Sequence, residues 1–205
     1  MAALPLATIR RIFAAVDAGF EGIVHWRGAG LDRLLDARHA SLIAARVHRL
    51  TDGGWDPSVE VTYSVYGERG SIDILGARVS VRAVLVEEVK SELANLEATI
   101  RKLDEKVRLV RQRVALDHLG WHPVTVGRLL VLPDSTTARR RVAALDTVLR
   151  VAFPDRGSDV RRWLQEPVGP FSGILFQPDI ATSDRKLDRR GFQRVRGPRD
   201  PDPGP

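Results

Sequence analysis

The sequence predicts an α/β fold, a mixed sheet flanked by helices, and three observations carry that prediction. Three β-rich runs follow one another mid-chain: VEVTYSVY (59–66), SIDILGARV (71–79) and AVLVEEVK (83–90). A long helical pattern comes next, at 91–116, and only then the apolar run RLLVLP (128–133), so the fourth strand follows a crossover that permits parallel pairing. With 205 residues, 43% of them hydrophobic, the chain suits one domain of ordinary size with tails.

The elements are read in order. Leu6, Ile9, Phe13 and Val16 recur at helical spacing and predict a short helix over 4–18, with a short strand at 20–26 and punctuation at Gly28 and Gly30. Leu31, Leu34, Leu35, Leu42, Ile43, Val47 and Leu50 form the stripe of a helix over 31–50, ended by Gly53-Gly54. The first two strands are joined by a turn at 67–70, and Gly76 is expected to mark a bulge or bend in the second. In helix 91–116, Leu93, Leu96, Ile100, Leu103, Val107, Val110 and Val114 recur at steps of three and four before Gly120 and Pro123 close it. Asp134, Ser135 or Thr136 can cap a helix over 136–150; a further helix is expected at 157–165 and a last strand at 171–176. Residues 178–205 are rich in Arg, Asp, Pro and Gly and are expected to be disordered. The expected division is an N-terminal helical segment (1–22), one domain (23–177) and a basic tail (178–205).

The net charge is +6, and half of it falls in residues 181–205, which hold seven basic and four acidic side chains. A basic balance suits a polyanion, but the body is only mildly basic, with charges well mixed. The absence of cysteine excludes disulfides and thiolate zinc sites and fits a reducing compartment. Residues 1–20 carry Arg10, Arg11 and Asp17 rather than a secretory pattern, and no apolar run reaches membrane-spanning length, so a cytoplasmic protein without a membrane partner is expected.

The chemistry is concentrated where the third strand ends. In a strand, residues i and i+2 share a face, so Glu88 and Lys90 point together and Glu87 points away. Asp73 interrupts an apolar stretch, Ile72-Asp73-Ile74-Leu75, where an aspartate is poorly placed unless something binds it. If the second and third strands are neighbours, Asp73 lies beside Glu88. Two close carboxylates repel unless a cation stands between them, and Mg²⁺ or Mn²⁺ accepts such oxygens together with water and phosphate. A cation of this kind supplies Lewis-acid polarisation of a phosphoryl oxygen and activation of water, with Lys90 placed to orient that water or to stabilise developing charge. The spacing Asp-x₁₄-Glu-x-Lys is by itself unspecific, since many strands end in a Glu-x-Lys at the water line.

The runs Tyr66 to Ile74 and Val86 to Leu93 resemble the PD-(D/E)XK nuclease-like superfamily. Trp26 to Asp36, Leu103-Asp104-Glu105-Lys106 and Gly127 to Pro133 are similar to a group within it, the C-terminal domain of actinobacterial helix-turn-helix regulator-like proteins. The resemblance spans about residues 22–177 and implies a restriction-endonuclease-like mixed sheet flanked by helices, with Asp73, Glu88 and Lys90 at the acid, acid and lysine positions. Ile72 stands where the motif's proline would be, and Glu87 where an apolar residue is usual; Glu87 is expected near a sheet edge or paired with an arginine such as Arg82. Residues 4–18 correspond at most to the last helix of a helix-turn-helix domain.

Candidates for a further ligand are Asp36 and His39, three apart on helix 31–50, and Glu60 at the start of the first strand. Arg69 in the turn, and Lys102 and Lys106 on the long helix, are candidates for contact with DNA phosphate, against the alternative that the helix simply presents a solvated charged face. The expected function is divalent-metal-dependent DNA phosphodiester hydrolysis of an endonuclease kind. The alternative is a non-cleaving DNA-binding or protein-binding regulatory module of the same fold. A homodimer is compatible with either, as superfamily nucleases often dimerise.

Overall fold

The computed structural model describes residues 29–178, so the expected helix at 4–18, the strand at 20–26 and the tail beyond Pro178 lie outside the described residues. Helix α1 (Ala29–Asp52) leads into three antiparallel strands, β1 (Asp56–Val65), β2 (Glu68–Arg78) and β3 (Ala83–Val89). Helix α2 (Leu96–Leu109) continues through a π-helical turn (Val110–Val114) into α3 (Ala115–Leu119) and crosses to β4 (Thr125–Pro133). Then come α4 (Thr136–Ala144), α5 (Asp146–Ala152), the two-residue β5 (Asp155–Arg156), α6 (Ser158–Gln165) and β6 (Phe171–Gln177). The sheet order is β1-β2-β3-β4-β6-β5, antiparallel among the first three strands and parallel from β3 onward. Among the described residues the fold is therefore a mixed α/β sheet of six strands flanked by helices, the class expected from the sequence. Among the described residues, no helix is long and apolar enough to cross a membrane.

Burial explains the strand sequences. Among the described residues β1 is an edge strand: Val61, Tyr63 and Val65 are buried while Thr62 and Ser64 are exposed, which gives the alternation. β3 is third of six and covered on both sides, so all seven of its residues are buried. Val84 and Val86 join Leu103, Leu109 and Val110 in one core, on the α2 face. Ala83, Leu85 and Val89 join Leu42 and Leu50 of α1 and Trp163 of α6 in a second core, on the opposite face.

Several boundaries differ from the sequence expectation. Helix α2 starts at Leu96 rather than 91, because Asn95 caps it, its side chain accepting from the Ala98 amide at 2.9 Å. Leu93 is buried all the same, so the apolar periodicity runs on through a loop. The expected helix 136–150 is broken at Leu145, and β5 was not foreseen. Gly76 is not a bulge: it pairs with Pro57 on one side and Leu85 on the other, and lacks a side chain where Trp55 packs close. The irregularity in this hairpin lies at Asp73 instead. Glu60, flanked by the pairs Val59–Ile74 and Val61–Ile72, has a left-handed φ of 51°. Opposite it, alternation along β2 breaks, with Ile72 and Leu75 in the α2-side core and Ile74 in the other.

Candidate active site

Consecutive acids at Glu87 and Glu88 must face opposite sides of β3, and both are buried, at 0% and 3% exposure. A buried carboxylate needs a partner, and each has one from a different helix. On the α1 side, Arg46 holds Glu87 in a two-pronged pair, Nε to Oε2 at 3.0 Å and Nη2 to Oε1 at 2.5 Å. The arginine partner expected for Glu87 is present, but it is Arg46 rather than Arg82, and Glu87 is not at a sheet edge. β3 is internal to the sheet, and Arg82, in a left-handed turn, donates instead to the His122 carbonyl.

On the α2 side, Glu88 lies between two lysines. Lys90 Nζ is 2.6 Å from its Oε1, and Lys106 Nζ of α2 bonds its Oε2. The same Lys106 nitrogen is 3.5 Å from Asp73 Oδ1. The other oxygen of Asp73 accepts from the Val89 amide at 2.7 Å. The β2–β3 ladder stops at the pair Ile74–Glu87, whereas β2 stays paired with β1 to its start at Glu68. At the end of the β2–β3 ladder the Asp73 carboxylate replaces a backbone acceptor, and Asp73 and Glu88 turn to one ammonium. Burial alone pushes the Glu88 carboxyl up. The charge and hydrogen bond of Lys106, with those of Lys90, outweigh burial and hold it below the ordinary glutamate range.

Glu88 and Lys90 open onto a cavity of ≈440 Å³ beyond the end of β3, lined also by Thr99, Arg101, Lys102 and Glu105 of α2. The carboxyl end of a parallel strand is where open α/β sheets place their ligands. At the cavity wall Glu105 accepts from Lys102 at 2.7 Å and from the Tyr63 hydroxyl at 3.0 Å. Burial and the Glu105 carboxylate push the Tyr63 hydroxyl up. The hydrogen bond from Lys102 holds Glu105 below its ordinary range.

The remaining sequence candidates fall in different places. Asp36 is exposed and His39 half-buried on α1, whose Leu42, Arg46 and Leu50 pack on the face opposite Glu88. Glu60, on β1 between the residues paired with Ile74 and Ile72 of β2, is exposed and has a left-handed φ. Among the described residues, no third Asp, Glu or His joins Asp73 and Glu88 in a set that could hold a metal ion. Arg69 is exposed near the start of β2, and Lys102 is half-exposed at the cavity. Lys106, expected on the phosphate-facing surface of the helix, is 4% exposed and turned inward to the carboxylates, so as placed it does not present its charge to a backbone outside.

Sequence reasoning missed Tyr63 and Glu105 as neighbours of the site and Arg46 behind it, and misjudged Lys106. A signal for Lys106 existed. The buried line of α2 runs Thr99, Leu103, Lys106 and Leu109, so Lys106 occupies an apolar-stripe position. A lysine in a buried stripe needs a carboxylate opposite it.

The donor set fits a hard divalent cation in kind: two carboxylates that reach one point, with hard oxygen donors of the sort Mg²⁺ and Mn²⁺ accept. That point is taken by the Lys106 ammonium.

No protein-family model matches the chain, and no curated protein sequence matches it. Among solved structures, the chain is similar to the crystal structure of a repair endonuclease from Pyrococcus abyssi, with 19% identity over 60% of this chain and a TM-score of 0.33. The match spans 46% of that neighbour's length, and so loose a likeness bears no weight in assigning the site.

Proposed function

We propose that the cavity at the end of β3 is a divalent-metal-dependent phosphodiester-hydrolysing site of restriction-endonuclease-like kind, acting on DNA. The observation that carries the reading is the meeting of Asp73 from β2 and Glu88 from β3 at one point, with Lys90 beside Glu88 and half-exposed to the cavity. The chemistry Mg²⁺ or Mn²⁺ supplies in such a site is Lewis-acid activation of water and of the phosphoryl oxygen. Asp73 and Glu88 would hold it. Lys90, tethered by Glu88 at 38% side-chain exposure, would orient the attacking water or take up the charge that develops on the phosphorus-bound oxygens. Arg69, Arg101 and Lys102 have the exposure needed to meet a phosphate backbone.

One observation favours a second reading. Lys106, together with Lys90, already balances the carboxylate pair without metal, which suits a non-cleaving DNA-binding or protein-binding module of the same fold. Incubation with supercoiled, linear and branched DNA in Mg²⁺ and in EDTA separates the two. Cutting that needs metal on any of these forms is expected; binding without cutting would transfer the assignment to the regulatory module.

A further inference from the structure

We propose that Lys106 is an intramolecular stand-in for the cation: its ammonium keeps Asp73 and Glu88 assembled in the metal-free protein, and a divalent cation gains the pair only by displacing it. The proposal rests on the metal-dependent reading above and adds to it a residue that sets how tightly metal binds.

The geometry is specific to Lys106. It comes from α2, an element separate from both strands, and is the group that touches both acids. Lys90 touches Glu88, on that residue's other oxygen, and is half-exposed. Two carboxylates and two lysines balance without metal, so like-charge repulsion between the acids is relieved before any cation arrives. A metal ion at the same point would be repelled by the ammonium, since two cations cannot share one pair of carboxylates at close range. The carboxylate pair therefore serves one cation at a time. The four-carbon lysine stem is flexible and can withdraw. Lys102, one turn earlier on the same helix, and Glu105, the residue before Lys106, line the adjoining cavity into which it can withdraw. The acids are thus preassembled, but metal has to compete for them.

Three proteins test this by Mn²⁺ titration, followed by calorimetry and by the electron paramagnetic resonance of free Mn²⁺: wild type, Lys106→Met and Asp73→Asn. Removing a charge-assisted competitor should tighten Mn²⁺ binding about tenfold or more in Lys106→Met. Asp73→Asn should lose binding. A wild type too weak to measure beside a Lys106→Met that binds would support the proposal equally. A second readout needs no variant. The chain has four lysines, at 90, 102, 106 and 186, which mass spectrometry resolves after brief acetylation. Lys106 should be protected in EDTA and become reactive in Mn²⁺. Equal Mn²⁺ affinity in wild type and Lys106→Met, with Lys106 protection unchanged by metal, would overturn the proposal and leave the metal-dependent reading standing. Absence of Mn²⁺ binding in both proteins would overturn the metal-dependent reading and this proposal with it.

Discussion

The Arg46–Glu87 pair, on the far side of β3 from the site, invites a quantitative test. Both partners are almost wholly buried, at 3% and 0% exposure, and they join in two hydrogen bonds across 41 residues of sequence. Arg46→Met keeps the aliphatic reach and removes the charge, leaving a carboxylate buried between sheet and helix. Breaking a buried pair from one side costs about 3–5 kcal/mol, and replacing both partners with apolar residues of similar size is often close to neutral. Arg46→Met should therefore lose about 3–5 kcal/mol in urea denaturation, or roughly 10 °C in melting temperature for a chain of this size. Arg46→Met with Glu87→Leu should recover most of the loss. The two singles and the double close a mutant cycle that isolates the coupling from lost packing. A single-variant loss below about 1 kcal/mol, the range of solvent-exposed ion pairs, would refute the buried pairing and with it the account of how α1 is fixed behind Glu88.

Two further outcomes follow from the same structure. An added Cβ at Gly127 would lie 2.6 Å from Trp163 and 2.8 Å from Phe171, whose rings stack at 4.4 Å, so Gly127→Ala should cost about 1–3 kcal/mol in urea denaturation; a change within about 0.5 kcal/mol would show that the stack yields freely. Because the folded-state pKa of Glu88 lies below its unfolded value, its pairing stabilises the protein fully above the ordinary glutamate pKa of about 4.3, and that stability is lost as pH falls through the lower folded value. Denaturation midpoints measured from neutral pH down to about pH 3 should fall more steeply in the wild type than in Glu88→Gln, and identical slopes would contradict the pairing with Lys106 and Lys90.

The sequence disclosed some levels of this structure and hid others. β1 and β4 were legible because burial on one or two faces writes itself as alternation or as an apolar run, and β3 and β6 because their residues are mostly strand-favouring. The start of α2 was not, because Leu93 continues the helical periodicity although it is buried from a loop; the capping Asn95 was the better signal. β5, at two residues, is too short for any pattern. Within the site, the i, i+2 rule placed Glu88 and Lys90 on one face, and the oddity of an aspartate amid Ile72, Ile74 and Leu75 singled out Asp73. The partners were hidden, since Arg46–Glu87 and Lys106–Glu88 are pairings between helix and sheet that local spacing does not encode. The left-handed backbone at Glu60 was equally silent, because nothing about a glutamate announces a positive φ.

If Asp73, Glu88 and Lys90 form a working phosphodiesterase site, Lys90 is the residue that tests it most directly. Its ammonium reaches Glu88 from the cavity side and is half-exposed, so its removal should leave fold and DNA affinity in place. The measurement is single-turnover cleavage of supercoiled DNA in Mg²⁺ by wild type and Lys90→Ala, with DNA affinity of both measured in EDTA. Metal-dependent cleavage by the wild type and a loss of about 10²–10³ in rate for Lys90→Ala, at unchanged affinity, is the expected result. Equal cleavage rates in the two proteins, or DNA binding by the wild type with no metal-dependent cleavage, would contradict it.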